Sequence, residues 1–396
     1  MKRSLFGYGT TTKAIAKSGG WQIFDDKFSK SSTDEFGNIL LPVSEFDPKK
    51  SYLEVTSPGI SPNHELIKKA RNLISEYDFF APLPFNIWIS GTNGKTTTTK
   101  MMQHILARLG AVMGGNVGTP LGELNKEAKI WILETSSFTM HYTNVAIPDI
   151  YLLLPITPDH LSWHGSFVEY EKTKLKPLKF MRENSVVILP KIYANTPTFA
   201  KIITYENEVD LAKFCGVNLS DITFKTPFLM DALLALAVEK ILIDKCSVEL
   251  LNKFIIEGNK LEELRDKWGR LWVNDTKATN IDATIQALKR YDKKRIHLIL
   301  GGDDKGVDMS PVFKALCGLN VKIYTIGTNS KKLMSLAQSY GVNAVRCEIL
   351  QNAVKVINDS LKIGEVALLS PAAASLDQFK SYAERGEKFK KFINEL

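Results

Sequence analysis

The chain has 396 residues, of which 44% are hydrophobic and 24% charged, and its formal net charge is +8 at pH 7. The composition excludes a disordered chain, and the length exceeds what one hydrophobic core usually fills, so we expect two or three domains. The basic residues are scattered and do not alternate with aromatic residues, which argues against nucleic-acid binding. The positive charge is then explained either by a small anionic substrate or by a lysine-rich solvated surface.

Residues 1–74 predict a Rossmann-like first domain. An opening strand from Ser4 leads into Gly7-Tyr8-Gly9 and a helix, and the apolar runs 21–24 and 52–55 predict two more strands. Thr12 stands where a third glycine would complete the dinucleotide-binding pattern. The turn is therefore either a nucleotide-binding element or only a tight connection.

Residues 75–257 predict a central domain with a phosphate-binding loop. The apolar run 85–89 precedes Gly91-Thr92-Asn93-Gly94-Lys95-Thr96, and residues 101–109 recur at helical spacing. In such a loop, backbone N–H groups surround phosphates, the lysine reaches the β- and γ-phosphates, and the threonine hydroxyl holds Mg²⁺. Ile89 occupies the position of the first glycine in the general pattern, so the match is to a shorter form. The alternative is a glycine-rich turn without a ligand.

Polar side chains follow two further predicted strands of this domain. Glu134 ends the run 130–133, and a carboxylate at a strand end beside a phosphate loop can bind Mg²⁺. His160 and His164 follow the run 150–154, although a single histidine there is more often a hydrogen-bonded structural residue. Helical patterns at 229–243 and 248–256 close the domain.

Residues 258–396 predict a third, Rossmann-like domain. The runs 271–273, 296–300, 321–326 and 366–369 read as strands, each followed by a helix-like segment. Because strands and helices alternate along the whole chain, we expect an α/β fold with parallel sheets wound by helices in all three domains.

The cysteine pattern and the N-terminal residues predict the cellular compartment. Cys215, Cys246, Cys317 and Cys347 form no C-x-x-C pair and lack metal-ligand spacing, so we expect free thiols in the cytoplasm. The apolar stretch after the basic start breaks at Gly7, and no run approaches the ~18 apolar residues that span a bilayer. We expect no export signal and no membrane partner.

The motifs taken together resemble those of the Mur ligase family. In chain order they are Gly91-Thr92-Asn93-Gly94-Lys95-Thr96-Thr97, Gly114-Gly115-Asn116-Val117-Gly118, Glu134-Thr135-Ser136-Ser137-Phe138, Asp159-His160-Leu161, Asn274-Asp275-Thr276-Lys277-Ala278-Thr279-Asn280 and Gly301-Gly302-Asp303-Asp304-Lys305. The resemblance implies three domains, namely a Rossmann-like N-terminal domain that binds a UDP-linked substrate, a central P-loop ATPase domain with a parallel sheet, and a Rossmann-like C-terminal domain that binds an amino acid.

Two further segments resemble the branch of that family that adds D-glutamate. They are Ser57-Pro58-Gly59-Ile60 and Ser370-Pro371-Ala372-Ala373-Ala374-Ser375-Leu376-Asp377-Gln378-Phe379, the second followed by Arg385-Gly386. The resemblance implies an ATP-dependent carboxylate–amine ligase that joins D-glutamate to UDP-N-acetylmuramoyl-L-alanine through an acyl phosphate, in peptidoglycan precursor synthesis. The alternatives are another Mur ligase or an enzyme similar to folylpolyglutamate synthases, whose phosphate loop is similar.

The resemblance also assigns roles to residues. Catalysis would use Lys95, Asn116, His160 and Lys174. ATP would contact Gly91, Thr92, Asn93, Gly94, Lys95, Thr96, Thr97, Asp231, Lys260 and Asp275. The UDP-linked substrate would contact Thr10, Thr11, Asp26, Lys27 and Gly59, and D-glutamate would contact Thr279, Lys305, Ser375 and Tyr382. Two Mg²⁺ ions, for which Mn²⁺ can substitute, would be held by Thr96, Glu134, His160 and Lys174.

Some positions depart from the family pattern or have two interpretations. Lys174 lies in Tyr170-x-x-x-Lys174-Leu175, a setting similar to that of a lysine that carries a carbamate, whereas the sequence alone places it on an exposed, lysine-rich helix face. Lys260, Asp231 and Tyr382 stand where relatives have arginine, asparagine and phenylalanine, so the ATP contacts are expected to differ in detail.

The sequence also leads to expectations about partners and about two alternative functions. We expect a monomer that binds small-molecule substrates and no nucleic acid. A nucleic-acid motor would show ATPase activity stimulated by DNA or RNA, and a non-catalytic scaffold would bind ATP without turnover. The complete set of Lys95, Glu134 and His160 argues against the scaffold.

Overall fold

The computed structural model describes residues 2–396, which form three six-stranded sheets. The chain divides into two compact units, the first ending at Phe254 and the second beginning at Ile255. Two of the sheets lie in the first unit and one in the second. The α/β fold class is confirmed, while the domain boundaries at 74/75 and 257/258 stay predictions.

The first sheet is built from short strands around a Rossmann-like centre. Its strands are β1 (Lys2–Phe6), β2 (Trp21–Phe24), β3 (Ser32–Thr33), β4 (Ile39–Leu41), β5 (Ser51–Thr56) and β6 (Leu73–Ile74), and its helices are α1 (Thr10–Ala16), α2 (Glu65–Lys69) and α3 (Glu76–Phe80). The strand order is β3-β4-β2-β1-β5-β6. Side chains alternate between the faces, so Leu5 packs with Ile23 and Val55 on one face and Phe6 packs with Phe24 on the other.

The second sheet is parallel throughout, as predicted for the central region. Its strands are β7 (Asn86–Ser90), β8 (Ala111–Gly115), β9 (Ile130–Glu134), β10 (Ile150–Leu153), β11 (Val186–Pro190) and β12 (Lys201–Tyr205), in the order β12-β11-β10-β7-β9-β8. Its helices are α4 (Lys95–Leu106), α5 (Ser137–Tyr142), α6 (Leu161–His164), α7 (Phe167–Leu175), α8 (Glu208–Cys215), α9 (Phe228–Ile243) and α10 (Val248–Leu251). Residues 232–238 of α9 are fully buried, which explains its apolar composition on all sides.

The third sheet forms the centre of the second unit. Its strands are β13 (Glu262–Arg265), β14 (Leu271–Asn274), β15 (Ile296–Gly301), β16 (Val321–Ile326), β17 (Ala344–Glu348) and β18 (Val366–Leu369), and its helices are α11 (Ile281–Arg290), α12 (Ser310–Leu316), α13 (Ser330–Ser339), α14 (Leu350–Asn358) and α15 (Tyr382–Asn394). The order is β13-β14-β18-β15-β16-β17. The last strand in sequence, β18, thus lies inside the sheet between β14 and β15.

The structure corrects three of the sequence expectations. Parallel pairing is not universal, because β3 pairs antiparallel with β4 and β13 pairs antiparallel with β14 at sheet edges. The helix predicted over 248–256 ends at Leu251. The run 366–369 is not followed directly by a helix, because residues 370–381 form a loop before α15.

Candidate active site

The carboxyl ends of three neighbouring strands form the centre of the site. β7 pairs in parallel with β9 on one side and β10 on the other, and Ile89 stands opposite Glu134 and Leu152. Strand order therefore reverses at β7, and open α/β sheets bind ligands beyond the carboxyl ends of the strands at such a reversal. These strand ends carry the phosphate loop after β7, Glu134 as the last residue of β9, and His160 in the loop after β10.

The phosphate loop is a strand-to-helix turn that requires its two glycines. Gly91 has φ 133° and Gly94 has φ 87°, both in the region that favours glycine. A Cβ at Gly91 would lie 2.5 Å from Cβ of Leu154, and one at Gly94 would lie 2.8 Å from Cδ2 of Leu154 and closer still to Oδ1 of Asp231. The twelve-residue helix α4 begins directly after the loop, so its first N–H groups are placed to receive an anion.

Lys95 and Asp231 are fixed by this loop and its helix. The Lys95 amine donates to the carbonyls of Gly91 at 3.0 Å and Thr92 at 2.6 Å. The Thr98 hydroxyl donates to Oδ1 of the buried Asp231 at 3.1 Å, which ties α4 to α9. Within the first unit, the structure thus brings the predicted nucleotide-binding segment, including Asn93, Thr96 and Thr97, to the same strand ends as Asp231.

Glu134 is a buried carboxylate with one oxygen available. Its side chain is 3% exposed, and its Oε1 accepts a hydrogen bond from Nδ2 of Asn116 at 2.7 Å. Among residues 2–396, no group donates a hydrogen bond to its Oε2. A buried carboxylate oxygen without a donor is costly unless a cation or water satisfies it, so Glu134 fits a magnesium ligand beside the phosphate loop. Asn116, predicted to orient the substrate, is held by Glu134.

Lys174 is buried, contrary to the interpretation of an exposed helix face. It is 1% exposed, and its amine donates to Gly91 O at 2.9 Å and Ser90 Oγ at 3.2 Å. Burial lowers the pKa of Lys174 well below its ordinary value, and the charge of Lys95 lowers it further. The helix α7 therefore delivers a lysine to the carboxyl end of β7. A neutral amine in this position is a nucleophile, and only a nucleophilic amine can form a carbamate.

His160 lies at the start of α6 in a cluster of aromatic residues. Its φ is 52°, and its ring packs edge-on against Phe138 with centroids 4.7 Å apart. The neighbouring His164 contacts Ser137 Oγ at 3.0 Å, and burial together with nearby cationic groups lowers the pKa of His164 to about 4. His164 is therefore a neutral, hydrogen-bonded residue, whereas the half-exposed ring of His160 is accessible.

The first sheet also gathers its predicted residues at one edge. The predicted residues follow three strands: Thr10 and Thr11 follow β1, Asp26 and Lys27 follow β2, and Gly59 follows β5. These three parallel strands are neighbours in the order β2-β1-β5. Their carboxyl ends meet at the same edge of the sheet, at a second reversal of strand order. Asp26, Lys27, Thr10 and Gly59 are exposed there, as a substrate-binding surface requires.

Thr12 and Asp25 explain how the Gly7-Tyr8-Gly9 turn is held without a third glycine. Thr12 is buried, and its hydroxyl donates to Gly7 O at 2.7 Å and accepts from the Gly9 N–H at 3.2 Å. Oδ2 of Asp25 accepts from the Tyr8 N–H at 2.7 Å. Asp25 was missed in the sequence, although its position directly after an apolar run is the same signal that singled out Glu134.

Asp275 is a buried carboxyl in the second unit. It accepts hydrogen bonds from Ser370 Oγ at 2.7 Å and from the Leu261 N–H at 3.2 Å. Burial raises the pKa of Asp275 to about 7, in spite of these donors and of the cationic Lys260 and Arg290. The same carboxyl thus joins the end of β14 to the segment that carries Lys260.

The residues predicted for D-glutamate lie on interlocked loops of the second unit. The loop after β15, which carries Lys305, exchanges two backbone hydrogen bonds with the loop after β18, which carries Ser375, through Asp303 and Ala374. Thr279 and Lys305 are exposed, Tyr382 is 40% exposed, and Ser375 is buried. The carboxyl ends of β14, β18 and β15 are neighbours, which brings the loops that carry Thr279, Ser375 and Lys305 to one edge.

Arg385 is a buried residue that the sequence quoted without a role. It is 1% exposed, and its guanidinium donates to Thr276 Oγ1 at 2.9 Å, Thr276 O at 3.0 Å and Ala373 O at 3.1 Å. Burial lowers its pKa to about 10, so it stays charged at neutral pH. An arginine inside an otherwise surface-like helical pattern gives no local sign of such burial.

Two further features of the structure concern metal-binding clusters and membrane-spanning helices. Residues 2–396 contain no group of three or more His, Cys, Asp or Glu side chains arranged to hold a metal ion, so magnesium would need oxygens from Thr96, the nucleotide or a modified Lys174 in addition to Glu134. In the same range, none of the helices combines the length and the apolar composition that crossing a bilayer requires.

The fold and the site are those of an ATP-dependent amide ligase. Residues 89–218 match the Mur ligase middle domain, and residues 261–373 match the glutamate ligase domain of Mur ligases. The chain belongs to the Mur ligase family.

Individual relatives and solved structures agree with this assignment. The chain is 58% identical over 402 residues to a protein of Campylobacter jejuni strain RM1221 named UDP-N-acetylmuramoylalanine–D-glutamate ligase, with 100% of both chains covered. It is 46% identical to the protein of the same name from Helicobacter pylori strain ATCC 700392 / 26695, with 99% of both covered. A crystal structure of the MurF ligase from Thermotoga maritima in complex with ADP matches with a TM-score of 0.59 at 16% identity, covering 87% of this chain and 88% of that one, which shows a shared fold.

Proposed function

We propose that the protein joins D-glutamate to the carboxylate of the L-alanyl group of UDP-N-acetylmuramoyl-L-alanine, with cleavage of ATP to ADP and phosphate, in peptidoglycan precursor synthesis. The geometric observation that carries the ATP-dependent step is the arrangement of Lys95, Lys174 and Glu134 at the ends of β7 and β9. The choice of acceptor is supported by the full-length identity of 58% to the Campylobacter protein of that name.

The proposed reaction has two steps because a carboxylate is a poor electrophile. Transfer of the terminal phosphoryl group of ATP to the alanyl carboxylate gives an acyl phosphate, and the amine of D-glutamate then displaces phosphate to form the amide. The protein mainly positions the reactants and neutralises charge on oxygen atoms. Lys95 would bind the transferring phosphoryl group, and Asn116 and His160 would orient the acyl group. Asn116 is already held for this by its bond to Glu134.

Magnesium binding is part of the proposal and rests on the donors present. Thr96 and Glu134 would hold one ion, and His160 together with a carbamate on Lys174 would hold a second. Bound there, the ions would neutralise charge on the β- and γ-phosphates. The unsatisfied Oε2 of Glu134 supports the first position, and the buried amine of Lys174 supports the second, since addition of CO₂ to a neutral amine, with loss of a proton, produces an anionic oxygen ligand.

The remaining residues are proposed to bind the two substrates. Thr10, Thr11, Asp26, Lys27 and Gly59, at the carboxyl edge of the first sheet, would contact the UDP-linked substrate. Thr279, Lys305, Ser375 and Tyr382 of the second unit would contact D-glutamate, for which a lysine and hydroxyl groups suit the two carboxylates. Asp231, Lys260 and Asp275 would contact the nucleotide. We further propose that the enzyme acts as a monomer in the cytoplasm.

A comparison of acceptors tests the proposed function. ADP release should be measured with UDP-N-acetylmuramoyl-L-alanine and each of D-glutamate, L-glutamate, L-lysine and L-alanine, with the product identified by mass spectrometry. We expect release that requires both the UDP-linked substrate and D-glutamate. Preference for another acceptor would point to a different Mur reaction, and activity with a folate and L-glutamate in place of the UDP-linked substrate would contradict the proposal.

A further inference from the structure

Near its N-terminus, helix α15 carries two adjacent residues that contact different parts of the second unit. Arg385 reaches the loops that follow β14 and β18, and Gly386 lies against Asn259 and Thr276. This inference deepens the proposed function, in which the loops after β14 and β18 carry residues for D-glutamate and the segment 259–261 carries Lys260 for ATP.

The guanidinium of Arg385 joins the two loops through backbone carbonyls. It donates to Thr276 O at 3.0 Å, Ala373 O at 3.1 Å and Ala374 O at 3.5 Å, and its Nε donates to Thr276 Oγ1 at 2.9 Å. The Thr276 hydroxyl in turn donates to Tyr382 O at 3.0 Å. Thr279, Ser375 and Tyr382 therefore sit on backbone segments that one buried side chain holds together. A planar group with five N–H donors can do this, whereas the compact ammonium of lysine cannot.

Gly386 makes room for Asn259. A Cβ at position 386 would lie 2.8 Å from Cγ2 of Thr276 and closer still to Oδ1 of Asn259. Asn259 has φ 70°, its Oδ1 accepts from Nδ2 of Asn274 at 2.9 Å, and its carbonyl accepts from the Lys277 N–H at 3.0 Å. Lys260 follows directly. A side chain at position 386 would push against the side chain of Asn259, the residue directly before Lys260.

We propose that Arg385 and Gly386 are positioning residues with different targets, Arg385 for the D-glutamate-binding loops and Gly386 for the nucleotide-contacting segment at Lys260. Neither side chain needs to touch a substrate. The two residues make the first two turns of α15 the common support of both binding regions of this unit.

The chain offers a matched control for the arginine. Arg270 is also buried, and it donates to Asp266 Oδ2 at 2.7 Å and Asn358 O at 2.9 Å. It precedes β14, whereas the loops held by Arg385 follow the carboxyl ends of β14 and β18. Arg270→Lys therefore removes another buried guanidinium of the same unit, at the end of β14 remote from the proposed site.

The test compares KM values and melting temperatures of wild type, Arg385→Lys, Gly386→Ala and Arg270→Lys, with whichever of the four acceptors the wild type uses. We expect Arg385→Lys to raise the KM for the acceptor about tenfold, given that bonds from a charged donor are lost, with the KM for the UDP-linked substrate unchanged. Gly386→Ala should raise the KM for ATP severalfold, although alanine is the better helix former. Arg270→Lys should lower the melting temperature and leave all KM values unchanged.

Hydrogen–deuterium exchange provides a reading that does not depend on turnover. Arg385→Lys should increase exchange in residues 274–279 and 370–378. Gly386→Ala should increase it in residues 258–262 and at Lys277, whose N–H is bonded to Asn259 O, but not in residues 370–378. The inference is overturned if Arg385→Lys behaves like Arg270→Lys, with a lower melting temperature but unchanged KM values and exchange. A wild type that uses another acceptor would refute the proposed function alone, because the KM for that acceptor still tests the positioning role.

Discussion

The amines of Lys95 and Lys174 donate to one acceptor, the backbone carbonyl of Gly91, at 3.0 and 2.9 Å. Two cationic groups so close together repel each other, and this repulsion disfavours the charged form of the more buried one. The charged form of Lys174 is the one that is disfavoured, because burial and the charge of Lys95 both lower the pKa of Lys174. A carbamate on Lys174, or the phosphates of ATP, would add negative charge beside the two lysines.

The first prediction concerns Lys174→Met. We expect ligation to fall by roughly two to three orders of magnitude, as when a preorganised charged group is removed from an active site. We also expect a higher melting temperature. Because the pKa of Lys174 is lowered in the folded chain, the folded state binds this proton less tightly than the unfolded chain does, so below the ordinary pKa of lysine the buried amine destabilises the fold.

The control is Lys172→Met on the same helix. Lys172 is exposed and pairs with Glu169 at 2.8 Å, so its loss should leave both activity and melting temperature nearly unchanged. A carbon-13 NMR signal from labelled bicarbonate, present in wild type and absent from Lys174→Met, would report the carbamate itself. Full activity of Lys174→Met would contradict the role.

The second prediction concerns Glu134→Gln. The amide keeps the acceptor for Asn116 but removes the negative charge and places a donor at the position of Oε2. We expect activity to fall about 100-fold and the magnesium concentration for half-maximal activity to rise, with the melting temperature unchanged or higher because a buried charge is gone. Titration of activity with MgCl₂ measures this. An unchanged magnesium dependence would show that Glu134 is not a ligand.

The third prediction concerns Gly94→Ala in the phosphate loop. The methyl group would meet Asp231 Oδ1 and Leu154 Cδ2, and φ of 87° disfavours alanine in any case, so we expect ATP binding to be lost and stability to fall by about 1–3 kcal/mol. Calorimetric titration with a non-hydrolysable ATP analogue measures the binding. Gly216→Ala is the matched control, since Gly216 has φ 69° but open space around it. It should cost stability without weakening ATP binding.

The fourth prediction concerns the pH dependence of stability through Asp275. Its pKa is about 7 in the folded protein, against an ordinary value of 3.8. Between these values the folded carboxyl keeps a proton that the unfolded chain releases, so its contribution to stability is present below about pH 4 and is lost as pH rises through 7. In Asp275→Asn this dependence disappears. The free energy of unfolding of the variant relative to wild type should therefore rise by up to roughly 4 kcal/mol between pH 4 and pH 8.

Urea denaturation at each pH gives the required free energies. Asp292→Asn, which removes an exposed carboxyl from the same unit, should follow the wild-type profile. Parallel profiles for Asp275→Asn and wild type would mean that Asp275 is ionised in the folded protein over the whole range.

Local sequence was sufficient for the elements whose signals lie within a few consecutive residues. The strand, glycine turn and helix of the phosphate loop were predicted because an apolar run, two glycines and a helical repeat follow one another between residues 85 and 109. Glu134 was identified because it directly follows the apolar run 130–133, which predicts a strand. Strands β8, β11 and β12 were not identified as such, since short runs do not distinguish a strand from part of a buried helix.

What the sequence by itself determined was the succession of strands and helices, the phosphate loop and the set of motifs that indicate a ligase. The tertiary structure alone decided which strand ends are neighbours, that Lys174 is buried beside Lys95, and that Arg385 reaches the loops after β14 and β18. The physical reason is that burial, pKa and hydrogen bonding depend on residues far apart in the chain. Lys174 and Gly91, which are joined by a hydrogen bond, are brought together only when α7 packs at the end of β7.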